Sequence, residues 1–164
     1  MVAAFHQASK RFGIVVLEAD IPLHPKSKED IITAYTKLFS PRTRLVHLTH
    51  LINLTGQVIS VAEIAVKAHD AGALVAVDSA HSIAHLKFTI PELKADIVAG
   101  SLHKWLCNPL GAGFLWMKKE HIKVIYPLTA DEEYAEDNIR KFEHQGTRPI
   151  QTLETINESI KFHN

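Results

Sequence analysis

Residues 75–85 read VAVDSAHSIAH, and residues 95–105 read ADIVAGSLHKW. Each is a short apolar run that stops on polar chemistry. The first ends on Asp78 and is followed by His81 and His85; the second ends on Ser101, His103 and Lys104. Runs that are apolar on both faces belong in a parallel sheet covered by helices. In open α/β sheets, ligands bind beyond the carboxyl ends of the strands. An acid, imidazoles and a lysine at two such ends therefore predict an α/β fold and a ligand rim together.

Working outward, the chain alternates strand and helix. An amphipathic opening helix precedes the β-rich run GIVVLEADI (13–21). SKEDIITAYTKLF (27–39) reads as a helix with Ser27 as N-cap and Asp30 three residues on. TRLVHLTH (43–50) is the next strand, and SVAEIAVKAHDAG (60–72) is a helix running from Ser60 to a terminating Gly72. ALVAVD (73–78), ADIVAGS (95–101) and GAGFLWM (111–117) are strands, and KKEHIKVIY that follows reads as a helix. IQTLETINESIKF (150–162) has helical periodicity, and the acidic PLTADEEYAEDN (127–138) reads as a mobile surface loop. Alternation of this kind predicts an α/β domain, a mainly parallel sheet flanked by helices. Asn53, Asp78 and the Ser101–Lys104 group share its rim.

Composition excludes several classes of function. The 164 residues carry 18 basic and 18 acidic side chains, for zero formal net charge, so neither nucleic acid nor an anionic membrane is an implied partner. No apolar run approaches the roughly 20 residues of a membrane span, and the N-terminus lacks the order of a secretory signal. The single Cys107 excludes an internal disulfide and a multi-cysteine metal site, and fits a reducing, cytoplasmic compartment. The eleven histidines are scattered, and no pair has the spacing of a zinc protease motif, so no metal is expected. No strand is followed by G-x-G-x-x-G leading into a helix, which argues against a dinucleotide-binding domain.

A lysine at a strand end, beside histidine and glycines, is either a point charge for phosphate or an amine that forms a Schiff base. Asp78 is informative here, because a buried carboxylate at a strand tip needs a cationic or hydrogen-bonded partner. A pyridinium nitrogen is one such partner. A carboxylate on that nitrogen and a lysine Schiff base are what make pyridoxal phosphate an electron sink.

THLINLTG (49–56), VAVDSAH (75–81), GSLHKWLCNPLGAGFLW (100–116) and FEHQGTRP (142–149) carry a specific resemblance. In order and spacing the chain resembles the fold-type I pyridoxal-phosphate enzymes of the class V aminotransferase group, which includes cysteine desulfurases and isopenicillin N epimerase-like proteins. The resemblance implies the large domain of a pyridoxal-phosphate-dependent transferase fold, an amino-acid substrate and a homodimer. Residue by residue, it implies that Lys104 forms the Schiff base and shuttles the α-carbon proton, and that Asp78 pairs with the pyridine nitrogen. Asn53 and His81 would lie at the phenolic oxygen, with His81 close to the catalytic chemistry. Ser101 and His103 would contact the phosphate, and Gly146 and Thr147 would reach the phosphate of the neighbouring subunit. Thr55-Gly56 and the short spacing from Lys104 to Gly146-Thr147 favour the epimerase-like branch. Cysteine desulfurase or C–S lyase chemistry, and a non-catalytic truncated domain, are the alternatives.

By the same resemblance, residues 1–164 are expected to be the central and C-terminal portion of the large domain. The N-terminal phosphate-loop segment and the C-terminal small domain are expected to be absent. His50 and His85 are read as structural, Trp105 and Trp116 as core, and Cys107 as a packed small hydrophobe. Arg148 reads equally as a contact to phosphate or substrate or as a surface residue.

Overall fold

The computed structural model describes residues 2–129, 132–144 and 146–163. Four strands form one sheet in chain order: β1 Leu45–Thr49, β2 Leu74–Asp78, β3 Ile97–Ser101 and β4 Gly113–Met117. The pairs β1–β2 and β2–β3 are parallel, whereas β4 returns antiparallel to β3. The sheet is therefore mainly parallel, as the alternating pattern implies, with one reversed edge strand. Helices α1 (Val2–Phe12), α2 (Lys28–Thr36), α3 (Val61–Asp70), α4 (Lys119–Ile122), α5 (Gln151–Glu154) and α6 (Ile156–His163) surround it.

Local chemistry explains the helix ends. Ser27 and Asp30 close a capping box at the start of α2, with Asp30 Oδ2 accepting the Lys26 and Ser27 N–H groups. Helix α3 stops at Gly72, whose φ of +79° suits glycine, and the Ala73 N–H reaches back to the Ala68 carbonyl. Burial then alternates along the strands. Val46, Leu48, Val75, Val77 and Val98 face one side and pack under Ile64, Ala65 and Ala68 of α3 and Ile31 and Ile32 of α2.

The opposite face departs from the expectation of full cover. Leu74, Ala76, Ile97 and Ala99 are only half-buried, Leu45 is exposed, and α1, which brings the Phe5 ring to 5.4 Å from that of His47, buries none of its own residues. Three further boundaries are corrected. GIVVLEADI (13–21) is not a strand: it lies outside the sheet, with Val15 82% exposed, because β-propensity alone supplies no ladder partner. The helix after β4 lasts only four residues. The C-terminal helical stretch is broken at Thr155 into α5 and α6. Residues 127–138 are loop where described, and Ala130 and Asp131 of that segment lie outside the described residues.

At the amino end of β3, far along the strand from the rim, Asp96 joins three elements. Its Oδ2 accepts the Val75 N–H at 2.7 Å and lies 2.8 Å from His69 Nε2; its Oδ1 accepts Lys118 Nζ at 2.7 Å. Burial alone would push this carboxyl up. The bonds from Lys118, His69 and Val75 outweigh that and hold it at about 2.

Candidate functional site

The carboxyl ends of β1, β2 and β3 meet at one rim, held by main-chain bonds that continue the sheet. The His50 N–H donates to the Asp78 carbonyl, and the Ser79 N–H to that of Ala99. Beyond β1 the chain makes a tight loop, with Ile52 N–H donating to Gln57 C=O and Gly56 N–H to Ile52 C=O. Gly56 sits at φ +72°, which a glycine adopts without strain. This loop presents Asn53, exposed, on the wall of a cavity of about 340 Å³ whose other side holds His81, His85 and Trp105.

Asp78, at the tip of β2, accepts the Ala80 N–H on Oδ1 at 2.9 Å. Its Oδ2 takes no hydrogen bond among the described residues. The turn that follows is pinned by buried Ser79 and Ser82, Ser79 Oγ donating to Ala99 C=O and Ser82 Oγ to Ser79 C=O. It delivers His81 to the rim. Gly100 on β3 permits this close strand packing: a Cβ there would lie 2.8 Å from both Phe114 Cε1 and Ser79 Oγ.

After β3 the chain folds into a compact loop over residues 102–108, closed by Cys107 N–H to Lys104 C=O and Asn108 N–H to Leu102 C=O. Lys104, half-buried, puts Nζ 2.8 Å from His81 Nε2. The Trp105 indole N–H lies 3.3 Å from His81 Nδ1, and its ring stacks on that of His85 at 4.0 Å. Burial, and then the Lys104 charge, push His81 below the usual imidazole range, while Asp78 pulls the other way. His103 holds Nδ1 3.2 Å from the Ala112 carbonyl; a carbonyl only accepts, so this nitrogen carries the hydrogen. Asn108 is buried and moors the loop to the C-terminal helices. Its Nδ2 donates to Thr152 C=O at 2.8 Å, and its Oδ1 accepts from Ser159 Oγ at 3.1 Å and Thr155 Oγ1 at 3.4 Å.

The fold thus gathers Asn53, Asp78, His81, Ser101, His103 and Lys104 at one end of the sheet. Gly146 and Thr147 lie elsewhere, exposed in a depression of about 420 Å³ with Tyr134 and Glu143, which shares no lining residue with the cavity beside Lys104. Two sequence expectations are corrected. Trp105 is not core: it is 45% exposed and forms the rim, drawn out by its bond to His81, whereas Trp116 does pack against the core. Cys107 is exposed at φ +59°, because the tight loop turns its side chain outward. Trp105 is the site residue that sequence reasoning missed, although its place directly after Lys104 was a usable signal. His85 stacks beside it, and His50 is buried with Nδ1 lacking a partner among the described residues.

The donor set fits pyridoxal phosphate. It offers an amine, a carboxylate oxygen left open beside it on the rim, a carboxamide and imidazole, and a hydroxyl at the end of the neighbouring strand. Comparison with known proteins agrees. A family model described as aminotransferase class-V matches residues 2–164. The isopenicillin N epimerase of Streptomyces clavuligerus is 29% identical over 96% of this chain and 44% of its own length. A probable cysteine desulfurase of Methanothermobacter thermautotrophicus is 36% identical over 74% of this chain and 33% of its own. Among solved structures, a cystine C–S lyase in complex with its product cysteine persulfide superposes with a TM-score of 0.84 at 25% identity, covering 99% of this chain and 46% of that one. A cysteine desulfurase from Escherichia coli shares the fold at a TM-score of 0.79, over 98% of this chain and 42% of that one. The chain spans less than half the length of these relatives.

Proposed function

Because this chain belongs to the class V aminotransferase family, whose enzymes depend on pyridoxal phosphate, we propose that it is part of the large domain of such an enzyme. Its substrate is an amino acid, and Lys104 is the covalent attachment point of the cofactor, through a Schiff base at Nζ. The observation that carries this reading is the placement of Lys104 Nζ against His81, with Asp78 at the same rim.

When bound, the cofactor supplies an electron sink for the bond broken at the substrate α-carbon. This chain's residues do the rest. Lys104 would be the tether, and its Nζ would be the group placed to carry the α-proton. Asp78 Oδ2 would hold a proton on the pyridine nitrogen by charge. Asn53 and His81 would hydrogen-bond the phenolic oxygen, Ser101 and His103 would bind the phosphate, and Gly146 and Thr147 would serve the phosphate of a second subunit in a homodimer.

The 96% cover of this chain by the epimerase supports epimerisation as the first outcome to test. The superposition on a C–S lyase supports C–S cleavage as the second. The primary test is chemical: incubate the protein with pyridoxal phosphate, reduce with borohydride and map the adduct by peptide mass. The adduct is expected on Lys104 and is expected to vanish in Lys104→Ala. A label spread over surface lysines, or unchanged in the variant, overturns the assignment.

A further inference from the structure

The cavity of about 340 Å³ at the rim coincides only in part with the groups proposed to hold the cofactor. Asn53 and His81, assigned to the phenolic oxygen, line it; Asp78, Ser101, His103 and Lys104 do not. The partners for the ring nitrogen and the phosphate therefore lie outside the cavity, which opens on the phenolic-oxygen side. Lys104 Nζ stands at its edge, 2.8 Å from His81 Nε2. An α-carbon whose proton Nζ carries would lie at the cavity mouth.

The walls are apolar. Leu51, Ile52, Val58 and Leu86 supply much of the lining, and no Asp, Glu, Lys or Arg contributes to it among the described residues. Three rings complete it, with most of their polar atoms turned to partners within the cluster. The Trp105 indole N–H faces His81 Nδ1 at 3.3 Å, and the His85 Nδ1–H donates to the His81 carbonyl at 3.2 Å. The Trp105 and His85 rings stack at 4.0 Å, so Trp105 offers the cavity carbon rather than a donor. A charged group entering here would lose hydration and meet no opposite charge. A hydrocarbon chain would lose only its contact with water.

We propose that this cavity is the side-chain subsite, and that the substrate is an amino acid with an aliphatic side chain. Val58, Leu86 and Trp105 are then specificity-determining residues. This deepens the proposed function and rests on Lys104 being the attachment amine, but the preference of the cavity can be read with no cofactor in the tube.

The first arm titrates the cofactor-free protein with propanol, butanol and pentanol, as mimics of aliphatic side chains. NMR follows the Trp105 indole N–H and the methyls of Leu51, Val58 and Leu86. Trp116, the chain's other tryptophan, packs against the core and is the internal control. Saturable shifts are expected at the cavity and not at Trp116, with affinity rising about fourfold per added methylene. Butylammonium and butanoate should bind about tenfold more weakly than butanol, or less. Val58 is 49% exposed, so Val58→Asp should leave the fold intact and remove the pentanol response. Val58→Thr keeps the shape and should weaken pentanol binding about fourfold; it decides the matter if the aspartate variant folds poorly. No saturable shift, or equal binding of the charged mimics, overturns the proposal. The second arm adds pyridoxal phosphate and follows its absorbance with alanine, norvaline, leucine, aspartate and lysine. Half-saturating concentrations should fall from alanine to norvaline and leucine, and be highest for aspartate and lysine. A flat series, or one led by aspartate or lysine, overturns the link to the substrate. Failure of the borohydride mapping on Lys104 is a separate result, and would count against the cofactor reading alone.

Discussion

The two oxygens of Asp78 stand differently, and a single substitution separates the bond one of them makes from the role proposed for the other. Oδ1 accepts the Ala80 N–H and shapes the turn that delivers His81, while Oδ2, which takes no hydrogen bond among the described residues, is the oxygen proposed to meet the pyridine nitrogen. Asp78→Asn keeps an accepting oxygen for the turn but removes the charge that would hold a pyridine nitrogen protonated. The melting temperature should stay near the parent value, while the rate at which alanine bleaches the bound cofactor should fall about a hundred- to a thousandfold, as for loss of one preorganised electrostatic partner. A rate within a few-fold of the parent contradicts the role. Gly100 makes the opposite prediction, a stability loss. A methyl there meets Phe114 and Ser79 at 2.8 Å, and Gly100→Ala should cost about 1–3 kcal/mol in a urea titration, the usual range for overpacking. At this scale the polar rim was legible, since charged groups at the ends of buried runs have few reasons to be there but chemistry. Trp105 was not, because a large aromatic is expected inside unless a specific polar partner draws it out.

Between elements, Asp96 ties the amino end of β3 to the last turn of α3 and the start of α4. With its carboxyl at about 2 when folded, against an ordinary 3.8, the sign follows directly. The folded-state value is the lower one, so the stabilisation is complete above about pH 4 and is lost as pH falls toward 2. Asp96→Asn should cost about 3 kcal/mol, the low end for breaking a buried pair, because Lys118 remains 35% exposed and can still be hydrated. Urea titrations at pH 6 and pH 3 should show the parent losing stability between them and the variant losing much less. Elements with local stop signals were readable: the Ser27–Asp30 box and Gly72 each act within one turn. The run at 13–21 was not, since a strand exists only with a neighbour, and Val15 and Leu17 point to solvent instead. The reversed direction of β4 and the break at Thr155 are likewise set by tertiary packing, which periodicity does not encode.

Taken as one body, the chain exposes 11067 Å². A monomer of 164 residues would show about 8000 Å². The excess is on the order of an obligate interface, and it includes the half-covered sheet face and large side chains such as Val15, Tyr126 and Phe162, all at least 80% exposed. Sedimentation of the purified chain should therefore show self-association at micromolar concentration; a monodisperse monomer would contradict this. The mooring of Asn108 has a consequence for order in time as well as space. Helices α5 and α6 bury no residue of their own, yet their Thr152 and Ser159, with Thr155 between them, supply the partners of the loop that carries Lys104. Segments with few buried contacts open first and most often in native-state hydrogen exchange. The lysine loop and the chain's last two helices then form one opening unit, and the time Lys104 Nζ spends beside His81 is set by the least protected part of the fold, while the strands beneath it stay closed.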